Sequence, residues 1–106
     1  MTNEEFMVVV DEVVVKCKKI LAKKGPNYST MDDRFHNFKA AAGLQSSTPK
    51  QALFAMAAKH LVAINDYIDD DADGLIVTRK EWEAKVLDGI NYFFLLSGML
   101  VEEEKM

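Results

Sequence analysis

Apolar residues recur every three or four positions along most of this chain, and the stretches that show this are separated by segments carrying glycine, proline or clustered acids. In the first stretch Phe6, Val9, Val10, Val13, Cys17, Ile20 and Leu21 fall on one stripe when each residue is turned by about 100°, which predicts an amphipathic helix. Valine favours strands, but Val13, Val14 and Val15 do not alternate with Asp11, Glu12 and Lys16 in steps of two. A later stretch carries Leu53, Met56, Ala57, His60, Leu61, Ile64 and Ile68 at the same spacing. The last, through Val86, Leu87, Ile90, Phe93, Phe94, Leu96, Met99 and Leu100, is apolar nearly all round.

Capping chemistry marks the ends. A Thr followed three residues later by an acid or Gln satisfies backbone N–H groups that the first helical turn leaves unpaired. Thr2 with Glu5, Thr30 with Asp33, Thr48 with Gln51 and Thr78 with Glu81 supply four such starts, the third with Pro49 in the first helical position. Gly25-Pro26, Gly43 as a left-handed cap, and Asp73-Gly74 supply the stops. The expected fold is all-α, a single-domain four-helix bundle with helices at residues 3–24, 31–42, 49–68 and 79–103 and an acidic connection at 69–77.

Composition narrows the function. The chain has 106 residues, 49% of them hydrophobic, enough for one core. Its net charge of −4 argues against a nucleic-acid partner, which would be held through counterion release. The one basic cluster, Lys16, Lys18, Lys19, Lys23 and Lys24, complements the negative end of the first helix. Cys17 is the sole cysteine, so no intramolecular disulfide forms and a reducing, cytoplasmic setting is expected; its place on the apolar stripe makes it a core residue. The run Phe6 to Val10 falls short of the roughly 18 residues that span a bilayer, so no membrane association is expected. The first two helices read as one-sided. The succession Tyr92, Phe93, Phe94, Leu95 and Leu96 exceeds what three short neighbours can cover, which predicts a homo-oligomer, a dimer or larger, assembled through the C-terminal helix.

Three polar features invite chemistry. Asp69, Asp71 and Asp73 with Gly74 match the opening of an EF-hand calcium loop, but Lys80 stands where the bidentate glutamate belongs and Glu81 comes one residue late. A solvated acidic connection is the preferred reading over a calcium site. Lys85, Asp88 and Asn91 or Tyr92 share one side of the fourth helix, while Lys59 and His60 interrupt the apolar face of the third. Such groups either pair across the helices or line a pocket. Asp33, His36 and Asn37 add a polar edge to the second helix, and no spacing brings His36 and His60 together with Asp66 or Asp88 as a metal site. No triad context and no phosphate-cradling glycine loop is present.

Tyr28, Asp33, Asn37-Phe38, Ala40-Ala41-Ala42-Gly43, Ala52-Leu53 with Met56, Lys59-His60, Ile64, Asp88 and Ile90-Asn91-Tyr92 with Leu95-Leu96 together resemble a group of small phage and prophage proteins. That group is similar in helical layout to the MazG-like all-α nucleotide pyrophosphatases. The resemblance implies an oligomeric bundle with a nucleotide pocket between helices and magnesium held by Glu-x-x-Glu and Glu-x-x-Asp pairs. Asp88 corresponds to the final aspartate and is the metal candidate; Lys59, His60, Asn91, Tyr92 and Asn37 are the candidate substrate contacts. Lys85 stands three before Asp88, and Lys59-His60 occupy the place of a carboxylate pair, so the carboxylate set is incomplete. The reading is therefore a protein that binds or hydrolyses a nucleotide, a pyrophosphohydrolase if active. Its rival is a non-enzymatic phage module that inhibits a host defence protein, in the manner of a CRISPR inhibitor, through its acidic surface and residues Asp69 to Asp73.

Overall fold

The computed structural model describes residues 1–28 and 33–105, the side chains of 27 and 28 excepted. Thr30 and the start expected for the second helix at residue 31 lie outside them. The described residues form four helices and no strand: α1 Asn3–Tyr28, α2 His36–Leu44, α3 Pro49–Ala72 and α4 Arg79–Glu104. The all-α bundle expected from the sequence is the fold observed.

Local chemistry explains three of the starts. Thr2 Oγ1 accepts from Glu5 N at 3.1 Å while Glu5 Oε2 accepts from Thr2 N at 3.0 Å. Thr48 and Gln51 repeat this reciprocal pair at 3.1 and 2.9 Å, with Pro49 spending its missing N–H where none is needed. Thr78 Oγ1 accepts from Glu81 N at 3.2 Å. Within the described residues α2 begins at His36: Asp33 Oδ1 accepts from Phe35 N at 2.9 Å, so the aspartate builds a turn ahead of the helix.

The stops moved for physical reasons. α1 runs through Gly25-Pro26 to Tyr28, four residues beyond 24; the proline removes one bond, to the Ala22 carbonyl, in a last turn whose later carbonyls lack helical partners anyway. Gly43 is helical, and the left-handed residue is Ser46 (φ 51), which lets Ser47 N reach Ala42 O at 2.9 Å. α3 takes in Asp69, Asp70, Asp71 and Ala72, so the first four residues of the expected acidic connection are helix. It ends where Gly74 (φ 82) turns the chain and Leu75 N donates to Asp70 O at 2.9 Å, satisfying carbonyls that would otherwise be orphaned.

α3 and α4 form the main antiparallel pair, α2 lies on α3, and α1 lies on α4. Phe35, Phe38, Leu53 and Met99 make the core, with Met56, Tyr92, Leu95 and Leu96 packed around them. Phe35 comes so close to α4 that a β-carbon at Gly98 would stand 2.8 Å from its Cζ. The radius of gyration, 16.0 Å, exceeds the roughly 13 Å of a compact chain this long. Part of the excess is α1. Its stripe is buried at Cys17 and partly at Val13, Ile20 and Leu21, but Phe6, Met7, Val8 and Val9 are exposed, so the one-sided pattern expected for this helix is covered only along its later turns.

α4 is covered along one side only, leaving Phe93, Phe94, Leu100 and Val101 exposed. Among the described residues it is also the helix long and apolar enough, by length and composition, to cross a membrane, a property that the shorter run Phe6 to Val10 lacks.

Candidate ligand-binding cavity

Where the four helices converge they enclose a cavity of about 370 Å³, at the small end of the size range of small-molecule sites. Every residue named from the sequence as a substrate contact lines it: Asn37 from α2, Lys59 and His60 from α3, and Asn91 and Tyr92 from α4, together with Asp88. Helical periodicity accounts for this. His60 shares the buried phase of α3 with Leu53 and Ala57, and Asn91 shares that of α4 with Leu87, so the packing that forms the core draws both polar groups inward.

Asp88 is the electrostatic centre. Its Oδ1 lies 3.7 Å from Lys24 Nζ, and its Oδ2 lies 3.6 Å from His60 Nδ1. The imidazole leans on Tyr92 with ring centroids 5.3 Å apart. Burial pushes the His60 pKa down; Asp88 pulls against this, and Lys85, Lys59 and Lys24 reinforce the downward shift, favouring the neutral ring. Across the cavity Arg34 Nη1 is buried with no hydrogen-bond partner among the described residues. Asn91 is 5% exposed, and neither its Oδ1 nor its Nδ2 has such a partner. A buried amide with both ends unsatisfied is costly in a folded protein, and a group entering the cavity would relieve that cost.

Lys24 and Arg34 are the charged lining residues that were not among the sequence-predicted contacts. Lys24 carried a signal: it follows Cys17 and Ile20 at seven and four residues, in phase with the buried stripe of α1, so it is more than a complement to the helix dipole. Arg34 carried none, because it precedes α2 in a turn without periodicity. His36 is exposed and lies apart from the cavity lining.

The lining does not fit the magnesium cage that the resemblance implies. Among the described residues it offers one carboxylate, Asp88, already attracted by Lys24 and His60, and four further cationic or amide groups in Arg34, Asn37, Lys59 and Asn91. The EF-hand-like acids fit calcium no better: Asp69 and Asp71 are spaced by helix rather than wrapped as a loop, and together with Asp73 they are exposed. Cys17, wholly buried, has its thiol pKa pushed up by burial and then by Asp88, which disfavours the nucleophilic thiolate.

Comparison with family models, with curated proteins and with solved structures finds no match to this chain.

Proposed function

We propose that the cavity binds a mononucleotide-sized anion, a phosphate or carboxylate group attached to a planar ring, and that the protein acts by binding it rather than by metal-assisted hydrolysis. The observation that carries the reading is the contrast in charge. The protein has a net charge of −4, yet among the described residues its cavity lining sets Lys24, Arg34 and Lys59 against the one carboxylate of Asp88. Cations gathered around a partly desolvated space attract an anion more strongly than the same cations on an open surface. Phe38, Tyr92 and His60 supply aromatic walls for a planar ring, and the buried amide of Asn91 offers one donor and one acceptor to its edge.

The chemistry agrees with the resemblance to the MazG-like group in ligand class and departs from it in catalysis. Lys59 and Arg34 suit the phosphate end, Asn91 suits the base, and Asp88 acts as the anchor that orients Lys24 and His60. On this reading the protein works in the cytoplasm, where nucleotides are abundant. Calorimetric titration with a panel of nucleoside mono-, di- and triphosphates, in chelator and again with magnesium, tests it. Saturable binding that survives the chelator is expected. Absence of binding across the panel overturns the proposal, and turnover that requires magnesium restores the enzymatic alternative.

A further inference from the structure

α4 has a second apolar face, opposite the one that packs on α3. Arg79, Glu83, Val86, Ile90, Phe93, Ser97, Leu100 and Glu104 follow one another at alternating spacings of four and three residues, which keeps them on one side of a helix for seven turns. All are exposed except Ile90 and Glu83, which are half-buried; Glu83 is held by Lys16 of α1 at 3.0 Å. The seam thus has an apolar middle, a cation at its start and an anion at its end.

We infer that a second copy of this chain docks on this seam, antiparallel, about a two-fold axis passing between residues 91 and 92. The order of the residues argues for a second copy because the seam is complementary to its own reverse. Antiparallel pairing at that register sets Phe93 against the partner's Ile90, Val86 against the partner's Ser97, Arg79 against the partner's Glu104, and Leu100 against the stem of the partner's Glu83, a residue whose carboxylate is held by Lys16. Parallel pairing would set Arg79 against Arg79 and Glu104 against Glu104. A two-fold interface demands a surface that matches itself in this way, and opposed helix dipoles add to the match. Arg79 and Glu104 are exposed and make no ion pair among the described residues, so both are free to pair across the axis. A bilayer is the competing occupant because α4 has the length and composition for one. The seam argues against it: it is closed by charge at both ends, while the other side of the helix turns Asp88 and Asn91 to the cavity. The dimer leaves both cavities on its outer sides, so assembly and ligand binding are separable.

Sedimentation equilibrium on the full chain tests the arrangement, with circular dichroism reporting the fold. The wild type is expected to be dimeric at micromolar concentration and Phe93→Glu monomeric with unchanged helix content. Arg79→Glu and Glu104→Arg are each expected to weaken the dimer roughly tenfold, since two pairs form per dimer, and the double variant R79E/E104R to recover it. If Phe93→Glu fails to fold, the charge-exchange series decides alone. A wild type that stays monomeric at millimolar concentration overturns the inference. So does a dimer indifferent to Phe93→Glu, or a double variant no stronger than its parents. Co-sedimentation of a monomeric wild type with phosphatidylcholine–phosphatidylglycerol vesicles would assign the face to a bilayer instead.

Discussion

His60 Nδ1 stands 3.6 Å from Asp88 Oδ2, near enough for charge to be felt and too far for a hydrogen bond. Burial lowers the pKa of the imidazole, Asp88 opposes the shift, and Lys85, Lys59 and Lys24 add to it. The unfolded chain, with His60 near its ordinary value of about 6.5, therefore takes up a proton before the folded chain does as pH falls. The stability this provides is complete above that pH and is lost as pH drops toward the depressed folded value. Urea midpoints measured from pH 7.5 to 5 should decline, and His60→Gln should flatten part of that decline. An unchanged pH profile in the variant would refute the assignment.

The same geometry makes ligand binding proton-linked. An anion beside His60 favours the charged ring, so binding below pH 7 should draw a proton from solution. Titrations in two buffers of different ionisation enthalpy should give different apparent heats at pH 6 and the same heat at pH 8. Equal heats at both would show that the anion does not reach the imidazole.

Asn91 is where stability and binding are expected to oppose each other. Its buried amide has no partner for either polar atom among the described residues, and leucine has nearly the same size and no polar group to desolvate. Asn91→Leu should raise stability by about 1–3 kcal/mol, the cost of an unsatisfied buried group, while weakening nucleotide binding at least tenfold. Urea denaturation and calorimetry on the same preparation check both. A variant that is destabilised would mean that the amide is already satisfied in solution.

Lys59 separates charge from packing. It is exposed where His60 beside it is half-buried, so Lys59→Ala should change stability by less than about 0.5 kcal/mol. Anion affinity should fall several-fold, and the loss should shrink as salt is raised. Equal affinity of the variant and the wild type at low salt would remove Lys59 from the site.

Legibility in the sequence followed the range of the interaction. The boxes of Thr2 with Glu5 and Thr48 with Gln51 close within four residues, so residue type and spacing were enough. The stops depended on more. Gly43 stayed helical because Ser46 took the left-handed turn, and Asp69 to Asp71 stayed helical because Asp73, Gly74 and Leu75 supply donors to their carbonyls. Exposed like charges in one turn cost too little to outweigh those bonds. His60 and Asn91 were visible as polar residues in apolar phase. Arg34 was not, since only the tertiary fold brings the turn before α2 to the cavity.

Gly98 offers the sharpest test of the packing of Phe35, just ahead of α2, against α4. In the interior of a helix, alanine is favoured over glycine by roughly 1 kcal/mol, so Gly98→Ala in an isolated helix would stabilise. Here the added carbon would stand 2.8 Å from Cζ of Phe35, a ring held among Phe38, Leu53 and Met99 with little room to retreat. Overpacking of that kind costs about 1–3 kcal/mol, which equals or exceeds the helical gain. Gly98→Ala should therefore destabilise the protein by up to about 2 kcal/mol. Phe35→Leu, which withdraws the far edge of the ring, should be destabilising in its own right through lost burial. With leucine at 35 the clash is gone, and Gly98→Ala should become stabilising. The four proteins form a cycle whose coupling, read from urea midpoints, should be about 1–3 kcal/mol and favourable to the double variant. Additive effects would mean that Phe35 does not pack against α4 at Gly98.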